Sequence, residues 1–296
     1  GDTLTMALQN GEIDAAQELP LASLALFRGE KYTISTSATS RSSNLLLNTR
    51  SEYLSDKNVR LAIAHAINKQ DFIDALMYGY GESAHGFFPQ KFTSFGDSKL
   101  TSPEYDVAKA KELLAQAGWV DTDGDGFVDK DGKNMKLQYY TYSSRQDLPL
   151  LAEAFQDDMK DIGIDVELNI AETGPKQDAL QNDSIKWDIN VWQMVTAPNG
   201  DPLYMIDSTL GRNGYYSTGG ADQDEELQGY IDALRSETET EKRAELAVKA
   251  QQKAIDEGYV IVAFHKEQSL AMKKGVTGLI QHPTDQHEIN VDTDIQ

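Results

Sequence analysis

One stretch in the middle of the chain constrains the fold more than any other, because its hydrophobic period changes twice. Apolar and polar residues alternate in residues 135–139 and again in residues 164–170, as in strands with one buried face. Between them, apolar residues at helical spacing form a stripe over residues 148–162, and Gly163 follows at its end. A strand, a helix and a strand in this order form a unit with parallel strands and a right-handed crossover. The sequence therefore predicts an α/β fold.

The rest of the chain adds strand and helix signals without a separating linker. Residues 32–36 alternate, and the apolar runs 45–47 and 259–264 are typical of buried strands. Asn68 and Asp106 stand before helical stripes, where their side chains can cap the first turn. The sequence shows no repeat, low-complexity tract or Pro/Gly/Ser-rich linker. We therefore expect lobes that are interleaved along the chain.

Charge and composition exclude several classes of function. The chain has 296 residues, with 27 Lys and Arg against 48 Asp and Glu, and a formal charge of −21. Such a polyanion lacks the basic face that binding to nucleic acid requires. Cysteine is absent, which excludes disulfides, thiolate metal sites and a Cys nucleophile. The longest apolar stretches, residues 21–27 and 259–264, are too short to cross a bilayer.

Catalytic motifs are also missing. The nearest match to the serine-hydrolase elbow GxSxG is GESAH at residues 81–85, which has His in place of the last Gly. There is no phosphate-binding loop, and no two histidines have the HExxH spacing of a zinc site. The many carboxylates leave open one enzymatic alternative, an extracellular carbohydrate-active hydrolase that uses a carboxylate pair. Most of them lie on predicted outer helix faces, so we favour a solvated surface.

An acidic run at residues 121–132 resembles a calcium-binding loop. Asp121, Asp123, Asp125 and Asp129 occupy positions 1, 3, 5 and 9 of an EF-hand-like pattern. Gly132 stands where a bidentate Glu normally closes the calcium shell. Asp-Gly pairs are also ordinary turn residues. We predict a loop whose affinity for calcium is weak at most, and no other cofactor.

Several motifs resemble one known family. The sequence VRLAIAHAINK at residues 59–69 is similar to the VRxAIxxAIxR segment of the family 5 extracellular solute-binding proteins, the receptors of peptide and nickel ABC importers. The sequence GEID at residues 11–14 and the segment YDVAKAKELLAQAGW at residues 105–119 resemble further family motifs in the same order. Shorter matches follow at residues 200–202, 214–217 and 241–243.

The resemblance implies a periplasmic-binding-protein-like fold of type II, similar to cluster C. It implies that the N-terminal part of lobe one and an extra domain are missing from this chain. Residues 1–48 and 266–296 would then form a partial lobe one, and residues 49–265 the second, ligand-closing α/β lobe. The resemblance also implies a binding protein rather than an enzyme. We expect a monomeric extracytoplasmic receptor, anchored as a bacterial surface lipoprotein, that delivers oligopeptides or nickel and other metal chelates to an importer permease.

In this family, the loop after the strand that resembles residues 187–194 lines the ligand cleft. Within the corresponding region, the resemblance points to seven candidate ligand-binding residues: Trp192, Met194, Thr196, Asn199, Asp201, Tyr204 and Arg212. Arg212 offers a fork for a ligand carboxylate. Core packing is an equally good interpretation of Trp192 and Met194, and Asp201 before a proline is typical of a helix N-cap. We expect Trp192, Asp201, Tyr204 and Arg212 to line one concave wall.

Overall fold

The computed structural model describes residues 2–92, 94–172, 174, 176, 178, 180, 184–215, 219–282 and 289–295. The α-helices are α1 (Asp2–Asn10), α2 (Lys57–Ala66), α3 (Lys69–Ala75), α4 (Val107–Gln116), α5 (Asp147–Asp161), α6 (Leu203–Leu210), α7 (Glu225–Ser236) and α8 (Thr240–Asp256). The strands are β1 (Ala15–Gln17), β2 (Tyr32–Leu47), β3 (Gly81–Ser83), β4 (Asp129–Lys130), β5 (Lys133–Asn134), β6 (Lys136–Tyr142), β7 (Asp165–Ala171), β8 (Ile189–Val195), β9 (Val260–Lys273), β10 (Val276–Thr277) and β11 (Asp294–Ile295). Short 3₁₀ helices run Leu21–Phe27, Asp97–Lys99 and Ala221–Gln223.

The main sheet has the strand order β1-β9-β2-β8-β6-β7, and β3 pairs with β9. Strands β6 and β7 run parallel and are joined through α5, so the β-α-β unit predicted from sequence is confirmed. Strand β8 is parallel to β6 and antiparallel to β2. Gly163 ends the α5 turn with φ +78°, a conformation that glycine adopts without strain, and its carbonyl accepts a hydrogen bond from Val128 N at 2.7 Å.

Two long antiparallel strands, β2 and β9, form the centre of the sheet. The sequence predicts separate short strands at residues 32–36 and 45–47, but they are the two ends of β2. Strand β9 likewise continues through residues 265–273 beyond the predicted apolar run. The polar residues between the predicted segments do not end the strands because many of their side chains have partners inside the protein; Thr39 Oγ1, for example, donates to Lys266 O at 2.9 Å.

The helix starts follow the capping chemistry of the sequence. Asn68 accepts a hydrogen bond from Asp71 N at 3.2 Å, and Asp106 accepts one from Lys109 N at 2.8 Å. Both predicted N-caps are therefore confirmed. Asp224 caps α7 in the same way, through hydrogen bonds from Glu226 N and Leu227 N.

The buried apolar side chains form one large cluster and two small ones. The large cluster extends from Leu45 to Phe264 and includes the residues that pack α5 on β6. The small clusters combine residues 8–27 with residues 270–276. We call the part built on the large cluster, residues 42–265, the large unit. We call the part built on the small clusters, residues 2–38 and 267–279, the small unit. Strands β2 and β9 belong to both.

Candidate binding site at the boundary of the two units

A cavity of about 500 Å³ lies where the large and small units meet, and we call it the boundary cavity. The small unit contributes residues 18–22 and 267–269 to its wall. The large unit contributes residues 75–78, residues 144–147 and Leu150, and Lys266 of β9 lies where the units join. This volume is within the range of pockets that hold small ligands, about 300–1,000 Å³.

The β-α-β unit explains why polar residues reach this cavity. Strand β6 ends at Tyr142 and α5 begins at Asp147, so the short loop between them stands at the carboxyl end of a parallel strand. Ligands of α/β proteins commonly bind at this edge of the sheet, where loops and helix N-termini converge. Ser144, Arg145 and Gln146 line the cavity from this loop.

Asp147 is the most deeply buried acid in the cavity wall, with 4% of its surface exposed. Its Oδ2 accepts a hydrogen bond from Gln193 Nε2 at 2.5 Å, and the same amide nitrogen donates to Ser43 Oγ at 2.9 Å. Its Oδ1 lies 3.5 Å from Lys266 Nζ and accepts no hydrogen bond from the described residues. Asp147 thus connects α5 with β8 and β9.

A second pair of charges spans the boundary between the units. Arg145 Nη1 of the large unit lies 3.9 Å from Glu18 Oε1 of the small unit. Glu18 Oε1 also accepts a hydrogen bond from Gln268 Nε2 at 2.9 Å. Sequence reasoning missed Arg145, Asp147 and Lys266 as site residues. The available signal was the loop directly after a parallel strand, together with the change from apolar VIVAF to polar HKEQ along β9.

Behind this wall, Lys176 is buried without a carboxylate partner among the described residues. Its Nζ donates a hydrogen bond to Val191 O at 3.1 Å and lies 5.4 Å from the centre of the Tyr142 ring. Burial lowers the pKa of Lys176 to about 7, because the charged ammonium loses its hydration. Burial raises the pKa of Tyr142, whose hydroxyl donates to Gln193 O at 3.2 Å.

The seven candidate ligand-binding residues that the sequence predicts lie in different surroundings in the structure. Trp192 is buried, with 3% of its surface exposed, and belongs to the large core cluster. Met194 is half-buried and packs against the same cluster. Thr196 is buried, and both its N and its Oγ1 donate to Ser40 O, at 2.7 and 2.8 Å. Thr196 therefore fixes the end of β8 to the middle of β2.

Asn199, Asp201 and Tyr204 line a second, open hollow of about 400 Å³. Asp201 caps α6 through a hydrogen bond from Leu203 N at 2.8 Å, and its carboxylate pairs with Arg243 at 2.6 Å. The N-cap interpretation of Asp201 is thus confirmed. Arg212 is exposed and pairs with Glu225 at 2.6 Å, outside the residues that line the hollow. Because Trp192 is buried and Arg212 lies outside this lining, these two do not share its wall with Asp201 and Tyr204.

The acidic loop after Val120 is held together by its own hydrogen bonds. Oxygens of Asp121, Asp123 and Asp129 lie within 4.8 Å of one another. Asp121 accepts hydrogen bonds from Gly124 N and Gly126 N, and Asp123 and Asp125 accept from the backbone two residues on. Asp129 is buried and accepts from both N and Oγ1 of Thr122 at 2.8 Å. The weak calcium affinity of this loop stays a prediction.

A further group of ionisable side chains lies on the other side of β9, and we call Asp97, His265 and Lys69 the interior cluster. Asp97 accepts hydrogen bonds from His85 N at 3.1 Å, Gly86 N at 2.8 Å and His265 Nε2 at 3.0 Å. His265 is fully buried. Desolvation lowers the pKa of Lys69 to about 8, against a smaller opposing effect of Asp97, and Lys69 Nζ donates to Ala84 O at 2.7 Å.

Comparisons with known proteins identify the family. The profile of the bacterial extracellular solute-binding proteins, family 5 Middle, matches residues 1–217. The chain therefore belongs to the family 5 extracellular solute-binding proteins, and the resemblance predicted from sequence is confirmed. It is 27% identical over 241 residues, 80% of this chain and 43% of the relative, to the oligopeptide-binding protein AppA of Bacillus subtilis. It is 30% identical over 171 residues, 56% of this chain and 32% of the relative, to the nickel-binding periplasmic protein of Escherichia coli.

Solved structures agree with the predicted fold. A nickel ABC transporter protein from Bacillus halodurans superposes with a TM-score of 0.84 at 27% identity, over 97% of this chain and 59% of that one. NikA from Brucella suis, in complex with Fe(III)-EDTA, superposes with a TM-score of 0.88 at 20% identity, over all of this chain and 60% of that one, which supports the fold alone. The chain thus spans about half the length or less of the curated relatives and about three fifths of these structures.

The relatives named here are binding proteins, which are not enzymes, and none of them supports the carbohydrate-hydrolase alternative. In the part of the chain that the structure describes, no helix combines the length and the apolar character needed to cross a bilayer.

Proposed function

We propose that this chain is part of the extracytoplasmic substrate-binding component of an ABC importer, and that it captures oligopeptides or nickel and other metal chelates at the boundary cavity. The observation that carries the proposal is the cavity itself, which the large and small units line together at the carboxyl end of β6. Family membership supports the class of protein. The names of the relatives support both ligand classes, one peptide and one nickel.

The two strands that join the units suit a receptor that closes around its ligand. The pairing of β2 with β9 shifts register between Ala38 and Ser42, where β2 has extra residues opposite Lys266. Such bulges bend and twist strands locally, and a few residues of this kind can act as a hinge between two rigid bodies. The stretches of β2 and β9 that join the two units lie beside the boundary cavity. A small bend in these strands would therefore change the width of the cavity.

The loop after β8 keeps a proposed role as a ligand contact through Asn199, Asp201 and Tyr204. Tyr204 is 50% exposed, and Asn199 is exposed at the rim of the hollow that they share. Met194 and Thr196 at the end of β8, with the buried Trp192, would support this loop from below. Arg212 would act only after leaving Glu225, since its guanidinium is paired at 2.6 Å.

The cellular setting follows from the same class of protein. We propose that the receptor works as a monomer outside the cytoplasm, that a lipid anchor holds it at the bacterial surface, and that it delivers its ligand to an importer permease. The formal charge of −21 suits a soluble domain that stays apart from anionic lipid headgroups.

The test is to purify the full-length receptor from its own host under native conditions and to identify any bound ligand by native mass spectrometry with elemental analysis. A bound peptide or a bound metal chelate is the expected result. The recovered ligand should rebind the stripped receptor and should protect the boundary cavity, including Arg145, from chemical labelling. A receptor that turns over a glycoside, or one that binds neither ligand class, would contradict the proposal.

A further inference from the structure

The loop between β3 and α4 contacts β9 close to the place where the two units join. Its Asp97 accepts a hydrogen bond from His265 Nε2 of β9 at 3.0 Å, and both residues are buried. The backbone N–H groups of His85 and Gly86 donate to the same carboxylate. His265 pairs with Ser42 of β2, on the large-unit side of the register shift between the two strands. The loop is therefore fixed to the part of β9 that belongs to the large unit.

The same loop contacts β2 on the other side of the register shift. Lys91 Nζ donates hydrogen bonds to Ser37 Oγ at 2.9 Å and to Ala38 O at 3.4 Å, and we call these two hydrogen bonds the hinge contact. Ser37 and Ala38 belong to the small unit and are buried, whereas Lys91 is exposed. None of the three residues lines the boundary cavity. The hinge contact thus lies outside the proposed ligand site.

The loop that carries Lys91 is packed firmly onto the large unit. Phe88 packs edge-on against Phe95, with ring centres 5.0 Å apart, and against Phe92, with ring centres 6.1 Å apart. Gln251 of α8 accepts a hydrogen bond from Phe87 N at 3.1 Å and donates one to Phe95 O at 2.9 Å. The backbone at Lys91 therefore moves with the large unit.

The bulge in β2 is also fixed to its neighbours by side chains. Thr196 N and Oγ1 at the end of β8 both donate to Ser40 O, at 2.7 and 2.8 Å. Thr39 Oγ1 donates to Lys266 O of β9 at 2.9 Å. The bulge is thus held from the large-unit side, and bending of β2 is left to the residues just before it.

The part of β2 before the bulge moves with the small unit. Residues 32–38 pair with residues 267–273 of β9, and their side chains pack on the small cluster. In the described part of the chain, Lys91 is the one side chain of the large unit that hydrogen-bonds residues 32–38. The hinge contact therefore crosses the bend between the units.

We propose that Lys91 is a positioning residue that sets the resting angle between the large and small units through the hinge contact. When β2 bends at its register shift, Ser37 and Ala38 move with the small unit while Lys91 stays with the large unit. Hydrogen bonds tolerate small changes of distance and angle, so this contact favours one arrangement of the ligand-free receptor. The inference rests on the proposed function for its purpose, since a receptor that closes around its ligand starts from this resting arrangement.

The experiment measures the arrangement of the units in the full-length receptor after bound ligand has been removed. Spin labels on cysteines introduced at Glu30 of the small unit and Glu245 of the large unit, both exposed, report the distance between the units by double electron–electron resonance. This chain has no cysteine, and any cysteine in the rest of the receptor is replaced first. In Lys91→Met, we expect the population at the wild-type distance to fall about fivefold relative to all other distances, the effect of about one net hydrogen bond.

Matched variants test whether the hinge contact causes this shift. Lys91→Arg keeps a cationic donor and should keep the wild-type distances. Ser37→Ala removes the nearer acceptor and should shift the distances in the same direction as Lys91→Met, and the double variant should shift them no further than Lys91→Met. Ser37→Ala carries the same test if Lys91→Met does not fold. Lys99→Met is the control, because Lys99 is an exposed cation of the same loop that makes no hydrogen bond to β2 among the described residues.

The outcomes separate this inference from the proposed function. Unchanged distances in Lys91→Met and Ser37→Ala, or an equal shift in Lys99→Met, would overturn the role of Lys91 and leave the receptor function standing. A lower thermal midpoint of Lys91→Met without a change of distance would show a merely structural role and would overturn it as well. The proposed function is tested separately by titration with tetra-alanine and with Ni²⁺ and L-histidine. Binding of neither probe, together with shifted distances in Lys91→Met, would contradict the proposed ligand classes and support the hinge contact.

Discussion

His265 and Lys266 are consecutive residues of β9, and each lies beside a buried aspartate on a different side of the strand. His265 is fully buried and lies 3.0 Å from Asp97, which is 3% exposed. Lys266 keeps 19% of its side chain exposed and lies 3.5 Å from Asp147 in the wall of the boundary cavity. Successive side chains of a strand point to opposite faces, so one strand serves both the interior and the cavity.

The two aspartates differ in how much of their hydrogen-bonding capacity the protein uses. Within the described part of the chain, Asp97 accepts three hydrogen bonds, two of them from backbone N–H groups, and both of its oxygens are engaged. Asp147 accepts one from Gln193, and its second oxygen has only the long contact with Lys266 among the residues that the structure describes. A fully satisfied buried acid stabilises the fold, whereas an incomplete one beside a cavity is available to organise a ligand site.

The most direct test of this difference between Asp97 and Asp147 is to replace each carboxylate in turn and to measure the loss of stability. Asp97→Ala leaves three donors without their acceptor, two of them buried, and should lower the free energy of unfolding by about 3–5 kcal/mol. Asp147→Asn keeps an acceptor for Gln193 and should cost less than about 1.5 kcal/mol. Urea unfolding followed by circular dichroism measures both values. Asp157→Ala, at an exposed site on α5, is the control and should change stability by less than about 0.5 kcal/mol.

If Asp147→Asn cost as much as Asp97→Ala, the distinction between a satisfied interior acid and an incomplete cavity acid would be wrong. The view that Asp147 is available to organise a ligand site would then lose its physical basis. If both substitutions were mild, the hydrogen bonds of Asp97 would contribute less to the fold than their number and burial indicate.

The sequence predicts local structure well because its signals are local. The stripe and alternation of residues 135–170 specify α5 and its flanking strands, and the caps at Asn68 and Asp106 depend on neighbours within three residues. The site is different. Asp147 contacts Lys266, which is 119 residues away in the sequence. This contact depends on the full length of β9, which the sequence does not predict because the polar run HKEQS follows the apolar residues.

Arg212 shows the same difficulty for a residue that the sequence does indicate as a site residue. A cation in a loop of this composition is a reasonable candidate to bind a carboxylate, but Arg212 pairs with Glu225, thirteen residues away at the start of α7. Charge pairing depends on three-dimensional proximity, which residue types alone do not give. The burial of Trp192, by contrast, agrees with the core-packing alternative, since an apolar residue in a central strand commonly packs in the core.

A second prediction concerns the cavity pair alone. Lys266→Met leaves the Asp147 carboxylate buried without its cation and should lower the free energy of unfolding by about 2–3 kcal/mol. The double variant Lys266→Met/Asp147→Asn removes both charges and should recover most of this loss. The double-mutant cycle in urea measures the coupling directly. A loss in the double variant that equals the sum of the losses in Lys266→Met and Asp147→Asn would show that the two residues are not coupled.

The interior cluster gives a third prediction, in which pH is the variable. Burial lowers the pKa of Lys69 from its usual 10.5 to about 8. Between these two values the unfolded chain binds more protons than the folded one, so this residue makes stability rise as pH rises from about 8 to about 10.5. Lys69→Met should remove a rise of about 1–2 kcal/mol.

The measurement is the difference in unfolding free energy between about pH 8 and about pH 10, compared for wild type and Lys69→Met. Tyrosines whose pKa burial raises, such as Tyr142, titrate in both proteins and cancel in this comparison. Lys111→Met, at an exposed site on α4, serves as the control and should leave the pH dependence unchanged. A wild-type rise that persists in Lys69→Met would show that another group causes it.

The smallest expected effect concerns calcium binding to a third acidic region, the loop of Asp121, Asp123, Asp125 and Asp129. It extends the comparison between satisfied and incomplete acids to this loop. Like Asp97, these acids already accept hydrogen bonds from the protein, and Gly132 supplies no carboxylate to complete a calcium shell. We therefore expect millimolar affinity at most, so that about 1 mM Ca²⁺ stabilises the chain by roughly 0.4 kcal/mol or less. Calorimetric titration and thermal unfolding with and without Ca²⁺ measure this, and Asp121→Asn should abolish the small effect. Micromolar binding would stabilise by about 4 kcal/mol at the same concentration and would show that acids satisfied by backbone donors can still give up those bonds to a ligand.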